Sequence, residues 1–259
     1  MYIDTHAHLN DPRYEGERDA IVSSFKENGL KFVINVGYDA KSSLKGVELA
    51  SKWEDVYATV AVHPHDAKDF TDEDLKRFEE YSKNPKVVAI GETGLDYHYD
   101  FSPRETQKKV FIHHLELAHS LGLPIIIHLR EAFDDMLKIL KEHRALLEYG
   151  AVLHCYSGSA EMAKVYLDMG LYISFAGPVT FRNARGLLDA VRAVPLGRIL
   201  TETDCPYLAP EPHRGQLNYP HYVRYVADKI AELKGITPGE LNAQVLKNAR
   251  ALFKRIRHE

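Results

Sequence analysis

The sequence predicts an α/β protein, a parallel (β/α)8 TIM-type barrel with extra C-terminal helices, on three observations. Eight short β-rich runs recur along 259 residues. Most are continuously apolar rather than alternating, which is how strands buried on both faces read. Helical patterns with recognisable start signals separate them. The main competing arrangement is a doubly wound open sheet.

The strands are expected at 2–8, 31–37, 56–63, 86–94, 124–130, 150–158, 172–179 and 198–204. The segment Ser102-Pro103-Arg104-Glu105 reads as a capping box, with Ser102 as the N-cap and proline at the first helical position. Val110, Phe111, His114, Leu115, Ala118 and Leu121 follow at helical spacing, and Gly122 and Pro124 end the helix. Thr71–Asp74 and Thr237–Glu240 are similar starts. Two closing helices, at 219–233 and 241–256, are expected outside the barrel. There is no sequence repeat and no linker rich in Gly, Ser or Pro, so one domain is expected over 1–259.

Composition narrows the function classes. Hydrophobic residues make up 45% of the chain, enough for a substantial core. The net charge of −4 lacks the basic excess expected where bulk electrostatics hold nucleic acid. A polyanionic substrate must then be attracted by a local site. Two cysteines, Cys155 and Cys205, make no disulfide framework and suit a reducing interior. The start lacks a secretory signal, and no apolar run approaches the length of a membrane span. A cytoplasmic monomer without a membrane partner is expected.

The chemistry lies in the polar residues at the strand ends. His6 and His8 close the first run, and their spacing points both imidazoles to one side. His63 closes the third run, with His65 just past it; Glu92 lies in the fourth; His128 and Arg130 are in the fifth, and His154 in the sixth. Glu202 and Asp204 end the eighth. In a closed barrel these ends converge on the face where active sites of this fold sit. Four imidazoles and two carboxylates exceed the needs of one tetrahedral ion and suit two divalent ions sharing a carboxylate. Such a pair serves hydrolysis. Zn, Mg or Mn all fit these ligand types.

Other polar residues read more plainly. Cys155 and Cys205 each follow a candidate ligand and should point away from it, into packing against the helices. His113, His114 and His119 lie on a helix and are expected in surface or helix–barrel contacts.

Several segments together resemble the TatD-type metal-dependent deoxyribonucleases, a branch of the amidohydrolase-like barrels. They are IDTHAHL, VAVHPHD, GETGLDYH, PIIIHLREAFDD, HCYSGS, RILTETDCPYL and RGQLNYP, in that order, and the likeness runs through to the terminal NARALF. The resemblance implies one ion held by His6, His8, Glu92 and Asp204, and a second by Glu92, His128 and His154, with Glu92 bridging. Related barrels often use a carbamylated lysine at that place. Here the fourth run has lysine only at Lys86, at its opposite end.

The expected reaction is phosphodiester hydrolysis of DNA, preferentially at ends or on single strands, with Asp204 accepting the proton of the attacking water. His63, Arg130, Arg182 and Arg214 are the candidate phosphate-binding residues. Tyr97, Tyr156, Phe181 and Tyr207 could stack bases or simply pack the rim. Two alternatives share the same site: an amide or ester hydrolase, and a non-catalytic metal-binding barrel.

Overall fold

Runs such as Ile125-Ile126-Ile127 and Val87-Val88-Ala89-Ile90 have no polar face to show solvent, so they form strands covered on both sides. The computed structural model describes residues 1–256; residues 257–259 of the domain expected over 1–259 lie outside them. The chain runs β1 (Tyr2–Ala7), α1 (Arg18–Ser23), β2 (Leu30–Asn35), α2 (Ala40–Lys52), β3 (Val56–Val60), α3 (Asp72–Tyr81), β4 (Val87–Asp96) and α4 (Arg104–Leu121). It continues through β5 (Ile125–Arg130), α5 (Phe133–Glu142), β6 (Ala151–Leu153), α6 (Ala160–Asp168), β7 (Tyr172–Phe175), α7 (Arg185–Ala193) and β8 (Ile199–Thr201). It ends with α8 (Val223–Lys234) and α9 (Pro238–Leu252).

The eight strands pair in sequence order, all parallel, as the TIM-type barrel expectation requires. Closure falls between β1 and β8. A parallel bridge links Ala7 to Cys205, and Thr5 Oγ1 donates to Thr201 O at 3.1 Å. Beyond β8, Asp204 N donates to His6 O at 2.9 Å and His8 N to Cys205 O at 2.7 Å. The seam of the barrel is therefore the place where three candidate site residues meet.

Strand β4 is ten residues long and buried throughout. Two glycines let it lie against β5. A Cβ on Gly94, at φ 148°, would sit 2.1 Å from His128 O, and one on Gly91, at φ 145°, 2.6 Å from Ile126 Cβ. No other residue type fits. The opposite end of β4 is closed by cations. Lys86 Nζ donates to Trp53 O and Val56 O, and Arg255 Nη1 to Ser82 O and Val87 O. Lys86 is thus far from any role at the mouth.

Some expectations need correction. The third, sixth, seventh and eighth strands end early, at Val60, Leu153, Phe175 and Thr201, so His63, His154 and Asp204 sit on the turns just past their strands. The N-cap of α4 is Pro103, not Ser102. Ser102 Oγ instead accepts from Lys68 N and donates to His65 O, tying down the 3-10 turn Pro64–Asp69. The last two helices begin at Val223 and Pro238 rather than at 219 and 241. The capping boxes at Thr71 and Thr237 form as expected, with Asp74 and Glu240 returning to the cap. Among the described residues no helix is long and apolar enough to cross a membrane.

Candidate metal centre

Glu92 stands at the middle of the mouth and divides its two oxygens. Oε2 lies 3.1 Å from His6 Nε2 and 3.7 Å from His8 Nε2. Oε1 lies 2.7 Å from His128 Nδ1 and 2.6 Å from His154 Nε2. Asp204 Oδ1 completes the first group, 3.3 Å from His8 Nε2 and 3.7 Å from His6 Nε2. Every one of these side chains except His128 and Asp204 is at most 6% exposed. Residues nearly two hundred positions apart thus meet within hydrogen-bond range.

The far nitrogens tell which way the lone pairs point. His8 Nδ1 lies 3.1 Å from Val36 O, which can only accept, so its proton sits there and its Nε2 lone pair faces Glu92 and Asp204. His128 Nε2 donates to Asp96 Oδ2 at 3.0 Å, and His154 Nδ1 lies 3.3 Å from Glu202 Oε1. His8 and His128 therefore each turn a lone pair toward a carboxylate oxygen. That arrangement repels unless a cation, a proton or a metal ion, lies between. His6 Nδ1 has no partner although buried.

The electrostatics agree. Burial alone would raise the Glu92 carboxyl, but His154, His63 and His6, with the hydrogen bond to His128, hold it well below the usual range. Burial would depress the His154 imidazole, but Glu92 and Glu202 push it well above its ordinary value. His128 is raised against burial by Asp96 and Glu92, and His8 by Asp204 and Glu92. Asp204 is held low against burial by His8 and His154. The cluster favours fixed carboxylates around exchangeable cations. The donor atoms of His6, His8 and Glu92 lie within 4.8 Å of one another. The donor set fits divalent metal.

His63 differs from the others. Its Nδ1 accepts from His65 N at 3.2 Å, so the neutral ring carries its proton on Nε2, 3.4 Å from Glu92 Oε1. Burial pushes its pKa down to about 4 and keeps it neutral. It is suited to donating a hydrogen bond rather than to binding metal.

A cavity of about 450 Å³ opens beside the cluster, lined by His128, Arg130, His154, Cys155, Tyr156 and Asp204 among others. Of the four expected phosphate-binding residues, Arg130 lines it. Arg182 and Arg214 do not; Arg182 is exposed, and Arg214 lies over the Phe181 ring at 4.2 Å on the loop surface. Of the four expected rim aromatics, Tyr156 lines the cavity and Tyr207 lies edge-on to His8 at 6.0 Å. Tyr97 is turned away by its hydroxyl bond to Asp135.

Cys205 is fully buried, as expected, but Cys155 is not a packing residue behind the strand. It lines the cavity, because β6 has already ended and the backbone turns at φ 43°. His114 makes the helix–barrel contact expected of it: Nδ1 donates to Val110 O at 2.7 Å, and Nε2 accepts from Val62 N at 3.1 Å.

Three supporting carboxylates were not assigned from sequence. Asp96 receives His128 and, at 2.9 Å, His65 Nε2. Glu202 accepts from Cys155 N and lies 3.3 Å from His154 Nδ1. Asp4, fully buried, accepts from His6 N and from both Thr203 N and Oγ1, which ties the two ends at the seam. The first two lie at the ends of other strands than the histidines they face, so no local spacing in the sequence marks them.

A family model described as TatD related DNase matches residues 3–254. The metal-dependent hydrolase YabD of Bacillus subtilis is 44% identical over 254 residues, 98% of this chain and 99% of its own. The metal-dependent hydrolase YcfH of Escherichia coli is 42% identical over 255 residues, 97% of this chain and 95% of its own. The crystal structure of YjjV, a TatD homologue from Escherichia coli, superposes with a TM-score of 0.92 at 29% identity, covering 98% of both chains.

Proposed function

The chain belongs to the TatD related DNase family of metal-dependent hydrolases, and on that premise we propose that it hydrolyses phosphodiester bonds of DNA, acting as an exonuclease on single strands or ends. The observation that carries this reading is the division of Glu92 between two groups of donors beside an open cavity. His6, His8, Asp204 and Glu92 Oε2 would hold one divalent ion. His128, His154 and Glu92 Oε1 would hold the second. Zn, Mg and Mn all suit this mixture of imidazole and carboxylate.

Bound there, divalent ions would lower the pKa of water and supply positive charge for the phosphate oxygens. The chain's own residues do the rest. Asp204 lines the cavity, is ionised near neutral pH and accepts the proton of the attacking water. His63 donates its Nε2 proton in a hydrogen bond to a phosphate oxygen, a role its neutral state suits. Arg130 positions the phosphate from the cavity wall. Asp96 holds His128 in the tautomer that faces Glu92, and Glu202 pairs with His154 at 3.3 Å. Broad basic surface is unnecessary, since two divalent ions form the strongest local field.

The test is activity on 3′- and 5′-labelled single strands beside RNA, ester and lactone substrates, each with added Mn, Zn or Mg. Metal-dependent loss of terminal nucleotides supports the reading. Turnover of esters or lactones with none of DNA would replace it by the amide or ester hydrolase alternative.

A further inference from the structure

Large apolar side chains exposed on this molecule are few: among the described residues they are Met1, Leu44, Tyr99, Phe101, Tyr207 and Leu208. Four of these six stand on the loops that follow β4 and β8. Because the strands run in order around a closed barrel, those loops face each other across the mouth. The exposed apolar surface is thus gathered into two patches with the donor cluster between them.

Each patch carries an arginine laid on a tyrosine. Arg130, from the end of β5, lies over the Tyr99 ring at 4.9 Å, and Phe101 stacks beside that ring at 5.3 Å and 25°. Across the mouth Arg13 lies over the Tyr207 ring at 4.2 Å, clamped there by two bonds to Asp11, Nε–Oδ1 at 2.9 Å and Nη2–Oδ2 at 2.8 Å. Tyr99 and Tyr207 still leave 48% and 46% of their surface to solvent. Each patch touches its own half of the cluster. Tyr207 meets His8 edge-on, while Tyr99 meets His65, which shares Asp96 with His128.

Rigid aromatic rings backed by guanidinium are what unpaired nucleobases stack on. We propose that Tyr207 on one side, and Tyr99 with Phe101 on the other, are two nucleobase platforms, so that the bond cut lies between two unpaired nucleotides. This rests on the phosphodiester reading above. It gives the preference for single strands a structural cause: a paired base cannot offer its face to a ring. A duplex end is then cut only after fraying on both sides of the bond.

The experiment measures kcat/KM on a labelled single strand whose first cleaved bond has been mapped. The comparison strands carry a tetrahydrofuran abasic residue immediately 5′ or immediately 3′ of that bond. For the unmodified enzyme each placement should lower kcat/KM about tenfold to a hundredfold. In Tyr207→Leu one placement should lose its effect while the other keeps it, and in Tyr99→Leu/Phe101→Leu the pattern should reverse. Tyr207→Phe should keep both penalties. Abasic placements without effect in the unmodified enzyme, or variants sensitive to both, would overturn the platforms. Hydrolysis of methyl 4-nitrophenyl phosphate, which has no base, separates the two levels. If the unmodified enzyme cleaves it while abasic placement has no effect, only the platforms fail. If it cleaves no phosphodiester at all, the function fails and the platforms with it.

Discussion

On the β1/β8 side of Glu92 the His8 imidazole leans on main chain at Val36 O, while His6 has no partner at Nδ1 and only its backbone N–H is held, by Asp4. On the β5/β6 side each leans on a carboxylate of its own, His128 on Asp96 and His154 on Glu202. The two sides touch through the stacked His6 and His154 rings, 3.9 Å apart at 13°, and through Glu92. The carboxylate-backed side is the more basic, since both its imidazoles are raised, whereas on the other side His8 is raised but His6 is lowered by burial and by His154. The difference teaches that the two donor groups around one carboxylate are of unequal character. One is backed by carboxylates and reaches the cavity through His128 and His154, the other leans on main chain at His8 and reaches the cavity through Asp204.

The comparison is broken most completely at Glu92. Glu92→Gln takes the charge from both sides and should lower kcat by about a thousandfold or more, as for groups that act as a unit. Elemental analysis should show fewer ions per chain than the parent, with the fold intact by circular dichroism. Next in size, Asp204→Asn and His154→Ala should each remove one side. Metal analysis of each should fall by one ion per chain, and the double variant should hold neither.

Asp96→Asn and Glu202→Gln sharpen the contrast, since neither residue is a proposed ligand. Each should weaken metal affinity at the carboxylate-backed side by about tenfold to a hundredfold. Isothermal titration should show the weaker site alone shifting. An equal shift at both sites would show that the two sides are not independent.

Proton linkage distinguishes the sides further. In the metal-free protein His154 and His128 are protonated more readily than usual. Their stabilising charge is fully present below the ordinary histidine pKa, about 6.5, and is lost as pH rises through their raised values. Metal must displace those protons. Stripped protein should therefore melt lower as pH rises above neutrality, whereas loaded protein should not. Calorimetry in two buffers of different ionisation enthalpy should register the proton release.

The smallest effect lies outside both sides, at His114. Burial pushes its pKa down to about 4, so the unfolded chain gains a proton between about 6.5 and 4 that the folded chain refuses. Stability is lost as pH falls through that window, by about 3 kcal/mol in all. His114→Leu should remove this acid dependence, at a cost of about 1–3 kcal/mol for the unpaired Val62 N–H. Melting curves from pH 7 to 4 check both.

How much of this could be read from the sequence follows from where each residue sits. The strand-end donors were readable because the fold fixes their direction and hydrolytic chemistry restricts their type; Glu92, His128 and His154 are brought together as that logic demands. Asp96 was not, because β4 runs to residue 96, further than its apolar run suggests. Cys155 lies on a turn whose path depends on tertiary contacts, so alternation misjudged it; Arg182 and Arg214, on loops of the same kind, stand outside the cavity lining. Tyr99 and Phe101 look like ordinary loop residues until the closed barrel sets them opposite Tyr207.

The most direct measurement is anomalous diffraction from crystals grown with Mn or Zn. Two peaks are expected, one between Glu92 Oε2 and His6, His8 and Asp204, the other between Oε1 and His128 and His154. A single peak, or two peaks both clear of one Glu92 oxygen, would contradict the shared carboxylate.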